Sequence, residues 1–493
     1  MKRLIRKKWF RRSLQGLVIA VSALALADAT VNHRAAGTKR DAVELLKSGG
    51  HLVEATKFQV EMPPDEENFA MIPMLVALRA ENELQRDIRV KKPVGEKFAL
   101  LSLDATGKEI YLSRPGEPLD PKIFSERMEL KGTAVEMLNQ FDQRHAEVLG
   151  ALREGMRRRW AVMPARVDFS KKEAYSTSIA DLWKINRASI GLSLRTELAI
   201  HAGRGDIALE SLLINRRLSD LTISETGAVA QLFAWNIDRF SMPALFRGIS
   251  AEVWDAASLE KLRQAWADRD PKDRIARTLN LEGVGMAIYC EHWKEDSSLP
   301  SSLIEESKGF FSRLRSSAAP DAWFDMKSAE ILRQTDASLE LVRSDRPLQS
   351  WWDNSMVSGK PDDWSGLHPR EKSSFDPGLE GWIGKLCDLE PLAFDSLVSA
   401  ILKRGSKAMV DDSLVRLACL IGEYKIARGG YPEALDAVGG DDIVDPLNGK
   451  PFVYRVENGA FRLYSVGPNG IDDGGSREPA DKFGSPEQLD WGW

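Results

Sequence analysis

Residues 181–220 read DLWKINRASIGLSLRTELAIHAGRGDIALESLLINRRLSD, and this stretch decides the fold class. Leu182, Ile185, Ser189, Leu192, Thr196 and Ala199 recur at the spacing that lines one face of an α-helix. Gly203-Arg204-Gly205-Asp206 turns the chain, and Ile207, Leu209, Leu212, Leu213 and Leu218 start a second helix. Outward from this hairpin, helical spacing punctuated by short breakers holds from about 175 to 345. It returns from 379 to 404 and from 411 to 428. No fixed repeat period emerges. The expected fold is therefore mainly α: an irregular array of antiparallel helices, solenoid-like or bundled, ending in a small α+β module.

Several flanking elements follow from local signals. Residues 40–56 read as a helix. Met62 to Asn68 read as a turn whose Asp65, Glu66 and Glu67 cap a helix from Phe69 to Leu84, with Pro73 demanding a kink or a later start. Phe98–Leu103 and Glu109–Leu112 flank Asp104-Ala105-Thr106-Gly107 as a β-hairpin, and Thr133 to Leu152 carry helical spacing. Pro347, Pro361, Pro369 and Pro377, with Trp351, Trp352 and Trp364, suggest a long ordered loop from 343 to 377. These signals divide the chain into 1–30, 31–165, 166–405 and 406–493.

The first twelve residues hold seven basic side chains (Lys2, Arg3, Arg6, Lys7, Lys8, Arg11, Arg12) and no acid. The apolar run Leu14–Ala27 follows and Asp28 ends it. A basic start before an apolar core is the pattern of a signal peptide or signal anchor, with Ala25-Leu26-Ala27 in the small-x-small form of a cleavage site. The expectation is a bacterial envelope protein, held in the inner membrane by a transmembrane helix or exported after cleavage. Without its first twelve residues the chain has 61 basic against 73 acidic residues. That balance excludes nucleic acid as the main partner, because phosphate recognition needs a basic surface.

Catalytic signatures are absent from the sequence. Cys290, Cys387 and Cys419 show no zinc-ligand spacing, and an odd count excludes a fully paired framework within one chain. A Cys290–Cys387 or Cys387–Cys419 bridge stays open. The six histidines form no metal pair, and Cys290-Glu291-His292 reads as a helix-end feature. There is no nucleophile elbow, phosphate loop or dinucleotide fingerprint. Arg157-Arg158-Arg159 reads as a solvated helix end.

The last 80 or so residues change character. A helix, Ser413 to Arg428, ends at Gly429-Gly430, and Tyr431-Pro432-Glu433-Ala434-Leu435 opens a short helix. Asp445-Pro446-Leu447-Asn448-Gly449-Lys450-Pro451 makes a turn. Strands Phe452–Val456 and Phe461–Val466 join at Glu457-Asn458-Gly459 and run into Gly467-Pro468-Asn469-Gly470-Ile471-Asp472-Asp473-Gly474-Gly475. Over 411–493 this order resembles the globular part of the major pseudopilins of type II secretion. The resemblance implies that the terminal loop binds calcium through Asn469, Asp472, Asp473 and Asp481, with Asn469 standing where the family's first Asp would be. The chain lacks the family's processed N-terminal start, so a filament subunit is not implied. The function expected is a non-catalytic envelope interaction or scaffold protein with a protein partner, linked to a secretion or pilus-type system. The alternative is an envelope hydrolase whose site is assembled from scattered residues of the helical body.

Overall fold

The computed structural model describes residues 2–58, 60–84, 101, 126, 128–164, 180–225, 227–267, 270–296, 321–356, 394–472, 474–475 and 491–492. The expected hairpin at 98–112 lies outside these residues, apart from Leu101. Twelve α-helices are described. They are α1 (Lys2–Ser48), α2 (Pro73–Leu84), α3 (Ala134–Arg144), α4 (Ala146–Gly155), α5 (Ala180–His201) and α6 (Gly205–Ile223), followed by α7 (Ala228–Ser250), α8 (Ala256–Ala267), α9 (Pro271–Asp296), α10 (Asp321–Arg343), α11 (Gln349–Met356) and α12 (Phe394–Arg428). The fold is mainly helical, with a small antiparallel sheet near the C-terminus.

Local chemistry sets the helix ends. Gly203, with φ +66°, closes α5: its N–H donates to Ile200 O at 3.0 Å, and the Arg204 N–H donates to Ala199 O at 2.8 Å. Gly205 serves a different need. A Cβ there would lie 2.0 Å from Val253 O, so the start of α6 approaches the chain beyond α7 more closely than any side chain permits. Pro73 occupies the first position of α2, where no N–H is needed, and Phe69–Met71 form a 3-10 turn before it. Asn68 caps that turn, its Oδ1 accepting from Ala70 N at 3.1 Å. The helix expected from Thr133 to Leu152 starts with a capping box between Thr133 and Glu136 and breaks at His145 into α3 and α4.

The helices bundle; they do not stack in a line. Helices α5, α6 and α7 pack mutually, and α10 lies against both α1 and α9. Helices α7 and α10 are buried around most of their circumference, as only the inner members of a bundle are. Helix α12 packs against α7, α8, α9 and α11. It runs unbroken across residues 405–406, where the sequence suggested a boundary. Residues 349–356, expected as loop, form α11 with Trp351 and Trp352 buried; 357–377 lie outside the described residues.

The expected transmembrane helix needs correction. No helix among the described residues is long and apolar enough to cross a membrane. The apolar run Leu14–Ala27 covers fourteen residues where about 20 are needed. It belongs to a 47-residue helix that continues through Asp28, Arg34, Lys39, Arg40, Asp41 and Glu44 into the body. Ala35, Ala42 and Leu46 are buried in that continuation, whereas Val18, Ile19 and Leu26 are exposed.

The sheet orders β1 (Val453–Glu457), β2 (Ala460–Ser465) and β3 (Trp491–Gly492). Asn458 and Gly459, at φ +53° and +77°, form the two-residue turn that pairs Glu457 with Ala460. The register puts Tyr454, Val456, Phe461 and Leu463 on one face, and Val453, Arg455, Arg462 and Tyr464 on the other. Phe461 and Leu463 are buried on the first face, beside a helix α12 whose Leu417 and Ile421 are also buried.

Candidate functional site

Among the described residues, two regions gather chemistry-bearing side chains: the loop after β2, and the ionic nodes inside the bundle. In the loop, Asp472 Oδ1 accepts from Tyr464 Oη at 2.8 Å and from Gly474 N at 2.9 Å, and its Oδ2 accepts from Arg455 Nη2 at 2.8 Å. The backbone and tyrosine donors, with Arg455 beside them, hold this carboxyl below the usual carboxylate range. Asp472 thus ties the loop across the outer face of the sheet to both β1 and β2. Asn469 Oδ1 accepts from Ile471 N at 3.0 Å, forming a local turn. Asp473 and Asp481 lie outside the described residues. Among the described residues, no group of three or more His, Cys, Asp or Glu is placed to hold a metal ion. A calcium ion that takes Asp472 as a ligand competes with Arg455 for its negative charge. Arg455→Met should therefore enlarge the rise in melting temperature that calcium produces in the full chain. Equal melting curves for parent and variant across a calcium titration would exclude Asp472 as a ligand.

The turn residues of this module have structural partners. Asp445 accepts from Leu447 N at 2.8 Å and Ser465 Oγ at 2.5 Å, and burial raises its carboxyl above the usual range. The Tyr454 hydroxyl donates to Pro432 O at 2.9 Å, and the Tyr431 ring packs on Phe461. The body grips the module at α11: Leu348 N and Gln349 N donate to Pro446 O and Leu447 O, and Gln349 Nε2 donates to Pro468 O. Trp491 of β3 is buried against Trp352, with Lys407 Nζ over its ring.

Inside the bundle, Arg195 is fully buried. Its Nε and Nη2 donate to the two oxygens of Asp142 at 2.6 and 2.8 Å, and Nη1 donates to Glu210 Oε1 and Ser211 Oγ at 2.8 and 2.7 Å. Arg216 bridges Asp238 and Asp412 and stacks over Trp266. Asn215 Nδ2 donates to Ser189 O, Ser193 Oγ and Ser241 Oγ, linking α5, α6 and α7. Glu197 is buried 2.9 Å from Arg247 Nη1, and burial pushes its carboxyl up to about 7 against the pull of that arginine. A carboxyl near neutrality is what a general acid–base needs. Glu197, however, is sealed from solvent and faces a structural arginine.

The remaining sequence candidates are accounted for as follows. Cys290 and Cys419 are buried free thiols, pushed up by burial, Cys290 to about 12. A thiol held there is a poor nucleophile. Glu291 contacts Lys39, which burial, with Lys294 nearby, holds below the usual lysine range against the pull of Asp325. His145 is buried on Phe141 and lowered by burial to about 4. Asp65, Glu66 and Glu67 are exposed in a 3-10 turn, and Arg158 Nη1 donates to Asp65 O and Asn68 O. The sequence reading missed Arg195, Asn215 and Glu197. The signal for the polar seam was present in Ser211, Asn215 and Ser219, four residues apart on the buried face of α6.

No known protein family, curated protein or solved structure matches this chain.

Proposed function

We propose that this is a non-catalytic interaction protein, in which the helical bundle is a rigid mount and the C-terminal sheet module engages a partner. The observation that carries this reading is helix α12: one unbroken helix packs into the bundle against α7, α8 and α9 and also supports β2 and β3. Such a connection presents the module at a fixed angle, as a scaffold requires and a tethered domain does not. The buried ionic nodes at Arg195 and Arg216 support the reading too, because their charges are used to tie helices together. The basic start and apolar run support export, which puts the partner in the cell envelope. The pseudopilin resemblance of the module makes a secretion or pilus-type assembly the first partner to examine. Solenoid or bundle architecture alone does not fix function, so the test targets the surface.

A photo-crosslinking side chain placed at Val456 or Ile471, both exposed on the module, should give a discrete adduct of higher mass in intact cells. The same group at Val135 or Val229, exposed on the body, should not. Adducts from the body positions alone, or from none, would remove the module as the docking element.

A further inference from the structure

The sequence contains three Asn-Gly pairs, Asn448-Gly449, Asn458-Gly459 and Asn469-Gly470, all in the C-terminal module. An asparagine followed by glycine is the pair most prone to intramolecular attack, because no side chain hinders the following amide nitrogen. The structure separates the three by what holds their reacting groups.

At the first pair, the Asn448 carboxamide is held at both ends: Oδ1 accepts from Lys450 N at 2.8 Å and Nδ2 donates to Asp445 Oδ2 at 3.2 Å. The nucleophilic nitrogen is held as well, Gly449 N donating to Asp445 O at 2.9 Å. At the third pair, Asn469 Oδ1 accepts from Ile471 N at 3.0 Å and Gly470 N donates to Gly467 O at 3.2 Å. Attack in either place first requires breaking a hydrogen bond to the amide and one or more to the carboxamide. The hairpin tip differs. Asn458 is exposed, and its carboxamide has no hydrogen bond to any described residue. Gly459 N, at the second turn position, also donates to no described group. A two-residue turn takes its ladder bonds from the flanking pair, Glu457 and Ala460, and leaves the central amides to solvent.

We propose that Asn458 is a site of spontaneous covalent modification, deamidating ahead of the other two asparagines in the folded chain. A solvent base removes the Gly459 amide proton, and that nitrogen attacks Asn458 Cγ. The new C–N bond closes a five-membered succinimide as the Cγ–Nδ2 bond breaks and ammonia leaves carrying a proton. Water then adds to one of the two ring carbonyls and opens the ring to aspartate or isoaspartate. The net change is one water gained and one ammonia lost, with no oxidant or cofactor.

The position gives the change a structural consequence. Isoaspartate lengthens the main chain by one methylene inside a turn that holds exactly two residues between paired strands, so Glu457 can no longer face Ala460 in register. Aspartate leaves the backbone intact but puts a negative charge beside Glu457. Either product ages the module from its tip while the bundle is untouched.

The test incubates the folded full-length protein at mildly alkaline pH and follows all three sites by peptide mapping with mass spectrometry. Asn458 should convert first, to a mixture of aspartate and isoaspartate, with Asn448 and Asn469 lagging about tenfold, which is about 1.4 kcal/mol of hydrogen bonding to be broken before attack. The same chain in denaturant should convert at all three sites at similar rates, because the ordering comes from the fold. Asn458→Gln should abolish the early product, since the longer side chain closes a less favourable ring. Conversion of Asn448 or Asn469 as fast as Asn458 in the folded protein would overturn the proposal. So would retention of the ordering in denaturant, or an early product that survives in the Asn458→Gln variant.

Discussion

Replacing Arg195 with alanine should lower the free energy of unfolding by about 3 kcal/mol, the low end for breaking a buried ion pair. The guanidinium is fully buried and is the shared partner of Asp142 on α3 and of Glu210 and Ser211 on α6. Its removal leaves two carboxylates turned towards one cavity, with the partly exposed Arg153, 2.8 Å from Glu210 and 3.8 Å from Asp142, as the cation still beside them. The cost stays at the low end because Asp142 and Glu210 each keep about a third of their surface in water or somewhat less. Arg195→Lys should recover little, since an ammonium cannot make the paired contacts to Asp142 and reach Glu210 as well. Urea denaturation followed by tryptophan fluorescence measures both. A loss below about 1 kcal/mol for Arg195→Ala would show that the carboxylates relax into solvent and that the node does not hold α3 to α5 and α6.

The second large effect depends on pH. Burial raises the Glu197 carboxyl from 4.5 to about 7, so between those values the folded chain holds a proton that the unfolded chain has released. Stability from this group is complete below pH 4.5 and falls as pH rises through 7. At pH 8 the full shift corresponds to a loss of about 3 kcal/mol. Glu197→Gln keeps the shape of the neutral acid and cannot ionise. It should match the parent near pH 4 and exceed its stability by about that amount at pH 8. His145 acts in the opposite sense: its lowered folded value, about 4, means that stability is gained as pH rises from 4 towards 6.5. The two slopes oppose each other in the parent between pH 4.5 and 6.5. Removing the Glu197 slope should therefore expose a rise in stability with pH across that window. Denaturation curves at a series of pH values test this; a parent–variant difference that does not grow with pH would show that Glu197 is ionised in the folded chain throughout.

The apolar spacing of residues 182–218 was sufficient to place α5, its Gly203 terminus and α6, because helix periodicity and a glycine stop are local properties. The hairpin at Asn458-Gly459 was equally legible, since few residues accept positive φ at both turn positions. Pro73 admitted two readings, a kink or a start, and the structure places it at the start of α2.

Tertiary packing decided the rest. The helical spacing that stopped at 404 continues through Gly405 inside α12, where a Cβ would come within 2.6 Å of Ile275 Cδ1; close helix packing, not a turn, accounts for the glycine. Beside it Ser406 Oγ accepts from Trp352 Nε1 at 2.7 Å, which helps explain why tryptophans read as loop residues are buried in α11. Arg195 and Asp142 are 53 positions apart and Arg216 and Asp412 are 196 apart, so no window of sequence could pair them. Asp472, which the family resemblance implied as a cation ligand, has a carboxylate that in the fold meets Arg455 and Tyr464. By itself the sequence determined most of the helical segments and the turns at Gly203 and Asn458-Gly459, though not α11 or the continuity of α12, because backbone sterics and amphipathic spacing act over a few residues. Which charges meet, and whether a carboxylate such as Asp472 faces an arginine or open solvent, was settled only when distant segments packed, because electrostatic partners are set by distance in space.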